Sequence, residues 1–235
     1  MSGLKSRLKR NKFFIATVML LRTIVKNNTF QVKKGNTVKI DGLMSGARIC
    51  VNGQENSITV KNPKTNAGLR IFVNGNKNRV TIEENCVLKN LDIWIEDDNN
   101  QIIIEKDTLI CGETKLSCIE GSKIHIGEGS MFSSAIDVRT GDSHSILNKE
   151  GRRINPSADV CIGKHVWIGY GVTLLKGVSV AENSILGTRA VVTKSFDEAG
   201  IVLVGNPARK VKENINWDYQ RIPVDGTIGV YHFDD

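Results

Sequence analysis

Apolar residues recur every six positions between residues 160 and 193. In each hexad the first position is apolar or small, and the third position is apolar. The first position holds Val160, Val166, Val172, Val178, Ser184 and Ala190, and the third holds Ile162, Ile168, Leu174, Val180, Leu186 and Val192. Glycine occupies the fourth position at Gly163, Gly169 and Gly187. A short-period apolar ladder with glycine at a fixed offset predicts a parallel β-helix, in which three hexads form one triangular coil.

A longer period extends the same pattern towards the amino terminus. Short apolar segments begin every 20–22 residues, and they are led by Asn36, Asn56, Asn78, Asn100 and Ser122. A second ladder of Ile49, Ile71 and Ile93 steps by 22 residues. Alternate residues of a strand share one face, so the apolar residues are predicted to point inward. Asparagine tolerates left-handed backbone angles and suits the corners of the coils, where its amides would form an internal ladder if they stacked.

Composition agrees with one globular domain. The chain has 235 residues, a net charge of +7, 40% hydrophobic and 24% charged residues, which are ordinary values. The five cysteines are odd in number and lack CxxC spacing. They predict packed thiols rather than a disulfide framework, and therefore a reducing, cytoplasmic location. Basic motifs interleaved with aromatic residues are absent, so nucleic acid is not expected as a partner.

The first 29 residues are predicted to form a basic and apolar helix. Lysine and arginine are concentrated before residue 13, and an apolar run follows from Phe13 to Leu21. The run is too short to span a bilayer, and it lacks the small-residue cleavage site of a secretory signal. Such a helix would cap the open end of the solenoid. The alternative is peripheral contact of residues 1–26 with the inner face of an anionic membrane.

The ladder is interrupted over residues 139–157, which read RTGDSHSILNKEGRRINPS. Repeat proteins accommodate insertions as surface loops and often use them for function. His144 is the side chain of this loop best matched to proton transfer near neutral pH. Asp142 is a weaker candidate for orienting the imidazole. The alternative interpretation of His144 is a solvated surface histidine.

The motifs DSHSI, HVWIG, VVTKS and GNPA resemble those of the hexapeptide-repeat acyltransferases. The resemblance covers roughly residues 124–217 and is strongest with O-acetyltransferases that act on sugars, including the sialic acid and capsule types. It implies a left-handed parallel β-helix, a homotrimer, and acetyl-CoA bound in the groove between neighbouring subunits. The implied acceptor is a sugar hydroxyl in a bacterial surface polysaccharide, such as capsule or lipopolysaccharide.

The resemblance also implies roles for single residues. In the family a loop histidine precedes the tryptophan of VWIG by some two dozen residues, and His144 and Trp167 hold these positions here. His144 would act as general base on the acceptor hydroxyl, which attacks the thioester directly without a covalent acetyl-enzyme. Trp167 would wall the acyl channel or pack in the interface between subunits.

Candidate CoA contacts follow from the same family positions. They are Tyr170, Thr188, Thr193, Lys194, Arg209 and Lys212. Tyr170 departs from the family, which usually has a small residue at this position. Arg209 and Lys212 follow GNPA, where basic residues of the family meet the nucleotide phosphates, and cations suit such a polyanion.

The predicted organisation is all-β. A helix over residues 1–29 precedes a β-helix over residues 30–195, and a C-terminal extension over residues 196–235 helps to bind CoA. Three alternatives stay open: N-acetyl transfer to an amino sugar or antibiotic, a zinc enzyme like the γ-class carbonic anhydrases, and a non-catalytic scaffold. A zinc site would need His125, His144 and His165 together. Their contexts do not match that family, so no metal is expected.

Overall fold

The computed structural model describes residues 27–223, which form a parallel β-helix built from 23 strands. Each full coil contributes one strand to each of three sheets, and the sheets form the faces of a triangular prism. The predicted all-β solenoid is therefore confirmed. The predicted N-terminal helix lies outside the described residues except at its end, where Thr29 already begins the first strand. Residues 27–223 contain no helix long and apolar enough to cross a membrane.

The strands are numbered along the chain. Sheet A contains β1 (Thr29–Val32), β3 (Arg48–Asn52), β6 (Arg70–Asn74), β9 (Leu91–Glu96), β12 (Thr114–Cys118), β15 (Ile136–Arg139), β18 (Thr173–Leu174) and β21 (Val191–Val192). Sheet B contains β2 (Thr37–Ile40), β4 (Ser57–Val60), β7 (Arg79–Ile82), β10 (Gln101–Ile104), β13 (Lys123–Ile126), β16 (Val160–Ile162) and β19 (Ser179–Val180). Sheet C contains β5 (Thr65–Ala67), β8 (Val87–Lys89), β11 (Leu109–Ile110), β14 (Met131–Phe132), β17 (Trp167–Ile168), β20 (Ile185–Leu186), β22 (Val202–Val204) and β23 (Arg209–Lys212).

The strand register reproduces the two periods of the sequence. In sheet A, Ile49 pairs with Ile71, and Ile71 pairs with Ile93, so neighbouring strands of the early coils are 22 residues apart. In the later coils Thr173 pairs with Val191, which lies three hexads further along the chain. The extra residues of the early coils therefore bulge at the corners and leave the stacking unchanged.

Alternate residues of each strand point into the prism and form one continuous apolar core. The first and third positions of the hexads, from Val160 to Val192, are at most 2% exposed. The residue between them points outward, as in β10, where Ile102 and Ile104 are buried and Ile103 is half-buried. Burying an isoleucine or valine contributes about 1.5–3 kcal/mol. Because each coil shares its core with the next, this stacking fixes the corners that carry the polar side chains.

Glycine recurs in the fourth position of the hexads because successive coils approach closely there. A Cβ atom on Gly163 would lie 2.6 Å from the backbone nitrogen of Glu182, and one on Gly169 would lie 2.7 Å from the carbonyl oxygen of Leu186. Both distances are shorter than a van der Waals contact, so a larger residue would force the coils apart.

The asparagine column forms an internal amide ladder at the corner between sheets A and B. The N–H of Asn78 donates to Oδ1 of Asn56, and the N–H of Asn100 donates to Oδ1 of Asn78, both at 2.8 Å. The N–H of Ser122 then donates to Asn100, and the Ser122 hydroxyl donates to that of Thr140 at 2.7 Å. A buried amide without a partner costs about 1–3 kcal/mol, and the ladder avoids this cost. Hydrogen bonds therefore link this corner from coil to coil up to Thr140, where the ladder of apolar residues is interrupted.

Parallel stacking continues past the predicted boundary at residue 195. Phe196 bridges to Val180 of sheet B, and β22 pairs in parallel with β20. The chain then turns back, and β23 pairs with β22 in the antiparallel sense. The first part of the predicted C-terminal extension is thus a further coil of the solenoid, and Arg209 and Lys212 lie on the strand that follows it.

Candidate active site

The interruption of the ladder is a surface loop at the corner between sheets A and B. It leaves the solenoid after Arg139 of β15 and rejoins it at Val160 of β16. The loop folds back on itself, because Leu147 bridges to Arg153 in the antiparallel sense. It carries both His144 and Asp142. The amide ladder ends at Thr140, at the start of this loop, and the loop contains the predicted catalytic residues His144 and Asp142.

Asn155 holds the two arms of the loop together. Its side chain is buried, with 5% exposed. Its Oδ1 accepts from the N–H of Ile146 at 2.7 Å, and its Nδ2 donates to the carbonyl of His144 at 2.8 Å and to Oδ2 of Asp142 at 2.7 Å. Sequence reasoning assigned Asn155 no role, because a loop asparagine carries no signal of its future partners. Asn155 fixes the backbone at His144 and leaves the imidazole free.

The imidazole of His144 is open to solvent. Within residues 27–223 it has no hydrogen bond or ion pair, and the residue is exposed. A general base must reach the proton of a bound substrate, so an exposed ring on a fixed backbone is a suitable arrangement.

Asp142 is not paired with His144 in the described part of the chain. Its Oδ2 accepts from Lys176 Nζ at 2.5 Å and from Asn155 at 2.7 Å. The Lys176 ammonium, followed by the Asn155 amide, lowers the pKa of the Asp142 carboxyl below its usual value. Lys176 follows β18 on the next coil. Asp142 therefore ties the loop to the solenoid, and its orienting role towards His144 stays a prediction.

A second ion pair anchors the other arm of the loop. The Arg153 guanidinium donates to the carboxylate of Glu120, which also accepts from the N–H (3.1 Å) and the hydroxyl (2.7 Å) of Ser157. These bonds, from Arg153 first and Ser157 second, lower the pKa of Glu120 to about 2. Glu120 follows β12, so the loop is tied to coils on both sides of its own.

We expect the loop to loosen in acid. Because the folded pKa of Glu120 lies below its ordinary value of 4.5, the contribution of the ion pair to stability is complete above about pH 4.5 and is lost as the pH falls towards 2. Pepsin, which works throughout this range, should therefore cut within residues 140–159 more readily as the pH falls. In Glu120→Gln, cleavage should already be fast at pH 4.5. Equal cleavage rates of wild type and variant at pH 4.5 would show that this pair does not hold the loop.

Trp167 lies on sheet C, away from the His144 loop in the same chain. Its side chain is partly open, with the residue 38% exposed. The ring of Trp217 from the C-terminal segment packs beside it at 5.9 Å between centroids. Trp217 also stacks on His165 at 4.2 Å and donates its indole N–H to the His165 carbonyl at 2.8 Å. The sequence did not predict a role for Trp217. The one feature that could have indicated a role is that Trp217 is the single tryptophan of residues 196–235.

Four of the six candidate CoA residues lie at two corners of the prism, and the other two, Arg209 and Lys212, lie on β23 of sheet C. Tyr170 and Thr188 follow β17 and β20 at the corner between sheets C and A, on successive coils. The Arg189 guanidinium lies over the Tyr170 ring at 5.8 Å, a contact that sequence reasoning did not anticipate. The pair Thr193-Lys194 instead follows β21, at the corner between sheets A and B, where Lys194 lies over the ring of Phe196.

Two of the three histidines of the zinc alternative, His125 and His165, bond to partners of their own. His125 on sheet B bonds to Glu105 at 2.9 Å, and Nδ1 of His165 lies 3.0 Å from Oδ1 of Asn183. No group of three or more metal-binding side chains occurs among the described residues.

Similarity to proteins of known structure shows the family of the chain. No family model matches it. Among solved structures, the polysialic acid O-acetyltransferase OatWY is similar to it with a TM-score of 0.77 and 33% identity, over 81% of this chain and 90% of that chain. The chain belongs to the sugar O-acetyltransferases of the hexapeptide-repeat family. The left-handed sense that the motifs implied for the β-helix is the sense of this family.

Other members of the family extend the comparison. The polysialic acid-specific acetyltransferase NeuO is similar with a TM-score of 0.55 and 27% identity over 82% of this chain and 88% of that chain. The polysialic acid O-acetyltransferase of Neisseria meningitidis is 35% identical over 107 residues, which are 45% of this chain and 50% of that protein. The galactoside O-acetyltransferase of Lactococcus lactis is 32% identical over 112 residues, 46% of this chain and 52% of that protein. The chain spans about half the length of these curated relatives.

Proposed function

We propose that the protein is an acetyl-CoA-dependent O-acetyltransferase that acts on a sugar hydroxyl in a bacterial surface polysaccharide, such as capsule or lipopolysaccharide. The observation that carries the proposal is the exposed imidazole of His144 on an anchored loop of a chain that belongs to the sugar O-acetyltransferases. Relatives that act by name on polysialic acid and on galactosides support a sugar as the acceptor.

The proposed reaction is a direct transfer with His144 as general base. His144 takes the proton of the acceptor hydroxyl as its oxygen attacks the thioester carbon. The carbon–sulfur bond then breaks, and the imidazolium returns the proton to the departing thiolate. The products are a sugar acetate ester and free CoA, with no residue acetylated on the way. General-base assistance of this kind contributes about 10²–10⁴ in rate.

Exposed cations and hydroxyls at the corners fit a polyanionic cosubstrate. Arg189 lies beside Tyr170, and Arg209 and Lys212 are exposed on β23, which continues the same sheet. Guanidinium and ammonium groups pair well with phosphates, so these residues would hold the nucleotide end of acetyl-CoA. Thr193 and Lys194 are exposed at the corner that carries the His144 loop, where they would meet the cosubstrate from the other side.

Tyr170 and Thr188 lie at one corner of the prism and Thr193 and Lys194 at another, and this division supports a homotrimer. A groove that uses both corners lies between two copies of the chain, with one corner supplied by each. Such head-to-tail contacts form a closed ring when the rotation between copies is three-fold. In such a trimer, Trp167 of one copy would lie near the surface of the neighbouring copy. This position agrees with the predicted role of Trp167 in the interface between subunits. Sedimentation equilibrium should give three times the chain mass of 25.9 kDa.

We propose a cytoplasmic location, with peripheral contact with the inner face of the membrane as the alternative. All five cysteines are free, and Cys86 and Cys118 are buried as packed thiols. Burial raises the pKa of the Cys86 thiol to about 11, which keeps it protonated and unreactive. Free thiols are usual in a reducing compartment.

Acetyl-CoA turnover against a panel of acceptors tests the proposal. The panel contains polysialic acid, neutral capsular polysaccharides, simple galactosides and an amino sugar, and free thiol is measured as it is released. We expect thiol release that depends on a glycan with free hydroxyls. A protein that binds CoA but responds only to the amine would contradict O-acetyl transfer. A protein that does not bind CoA would contradict acyl transfer altogether.

A further inference from the structure

An aromatic pair lies on the outer face of sheet A, in the early coils. Phe72 of β6 and Trp94 of β9 are neighbours in register, and their rings stack at 4.2 Å with 25° between their planes. Trp94 is 38% exposed. Both residues point away from the apolar core, so neither side chain contributes to packing inside the prism.

The pair lies in an open groove of about 500 Å³ across four strands of sheet A. Arg70 and Asp92 form an ion pair at 3.1 Å along one edge of the groove, and Arg48 extends this edge. A concave surface with aromatic side chains and a few polar groups at its edge is typical of a ligand site, and this volume is within the usual range.

The aromatic surface leads directly to the His144 loop. In one outward column of sheet A, Trp94 pairs with Ser117, and Ser117 pairs with Arg139, the last residue before the loop. Three strand spacings of about 4.8 Å separate Phe72 from Arg139, a distance of roughly 14 Å. A second, smaller pocket of about 90 Å³ joins the two regions. Its wall includes Trp94 at one end and Ser143, the neighbour of His144, at the other.

We propose that this strip, from Phe72 and Trp94 to Ser143, binds sugar rings of the acceptor chain that lie several units from the reacting hydroxyl. The apolar face of a pyranose ring packs on an exposed indole, while its hydroxyls need hydrogen-bonding partners at the edge. Glu96 and Lys115 line the smaller pocket, and their side chains have no hydrogen bond or ion pair within residues 27–223, so both can serve a ligand. This inference rests on the proposed function, and it assigns a use to coils that the acetyl-transfer chemistry itself does not require.

Chain-length dependence tests the inference. The polysaccharide that gives turnover in the acceptor panel is cut to graded lengths, and KM is measured for each length with wild type, Trp94→Ala and Phe72→Ala. The aromatic stack predicts a rise in KM of about 5- to 10-fold for long chains in either variant. It predicts no change for the shortest acceptor, for KM of acetyl-CoA or for kcat at saturation. Trp94→Phe should retain most of the wild-type affinity.

Ile103→Ala is the matched control. Ile103 is the half-buried outward residue of β10, on sheet B of the same coil as Trp94. Its truncation should leave KM unchanged for every chain length. Equal KM values for Trp94→Ala and wild type with long chains would overturn the inference. A change of oligomeric state in Trp94→Ala would overturn it as well, because the strip would then be a contact between copies of the chain.

Direct binding separates failure of this inference from failure of the proposed function. If no glycan of the panel supports turnover, the proposed function fails, and calorimetric titration with polysialic acid still reports on the strip. Binding that is present in wild type and lost in Trp94→Ala would support a sugar subsite without the reaction. No binding to wild type would overturn the subsite.

Discussion

Replacing His144 with alanine should lower kcat for acetyl transfer by about 10²–10⁴, the usual contribution of a general base. The ring has no structural partner within residues 27–223, so its removal should leave the loop in place. Binding of acetyl-CoA should be unchanged, because the candidate CoA side chains lie on other segments. The measurement is free-thiol release under saturating acetyl-CoA and acceptor, together with CoA binding by calorimetry.

His125→Ala is the matched control for this variant. His125 is also partly accessible, but it faces outward from sheet B and pairs with Glu105. Its replacement should change kcat by less than about two-fold, as expected for a surface change away from the chemistry. If His144→Ala kept the wild-type kcat, another group would be the base, and the solvated-histidine interpretation would stand.

The second large effect is expected from Asn155→Ala. The Asn155 amide holds the carbonyl of His144 and the carboxylate of Asp142 on one side and the N–H of Ile146 on the other. Without it the backbone that positions the imidazole is free to shift, and a misplacement of about 1 Å costs on the order of 10²-fold in rate. We expect a loss of this size in kcat, with little change in KM for acetyl-CoA.

Asn148→Ala provides the comparison for Asn155. Asn148 belongs to the same loop, and its Oδ1 accepts from the N–H groups of Glu150 and Arg152 at the tip, away from His144. Its loss should loosen the tip and leave kcat within a few-fold of wild type. A positioning role for Asn155 also predicts that the pH dependence of the residual activity keeps the shape seen in wild type, because the same imidazole still acts. Equal losses in the two variants would show that the loop acts only as a folded unit.

Most of the fold could be predicted because the coils of a solenoid repeat at the same period as its sequence. The inward positions from Val160 to Val192 follow from period and side-chain type alone, and strand pairing then follows from the period. The sequence left open whether the asparagine amides form a ladder, because stacking of Asn56, Asn78 and Asn100 depends on the length of each coil at one corner. The end of the solenoid was harder to place, because the hexads lapse before β22 while its pairing with β20 continues.

The site was less predictable, because its contacts join residues far apart in the chain. The position of His144 in an interrupting loop was visible, but the partner of Asp142 was not. Lys176 lies 34 residues away and meets Asp142 only because its coil stacks on the loop corner. Trp217 and Arg189 were missed for the same reason, since each acquires its aromatic partner through the fold. Local spacing therefore identified candidate groups, and three-dimensional stacking determined which of them meet.

The measurement that tests the central claim most directly is the chemical identity of the product. Purified protein is incubated with labelled acetyl-CoA and the responding polysaccharide, and the polymer is isolated and treated with mild alkali. An O-acetyl ester on the sugar is released by alkali, whereas an N-acetyl amide is retained. We predict label on the polysaccharide that alkali removes, in an amount equal to the thiol released and greatly reduced with His144→Ala. Label that resists alkali, or thiol release without label on the polysaccharide, would contradict sugar O-acetyl transfer.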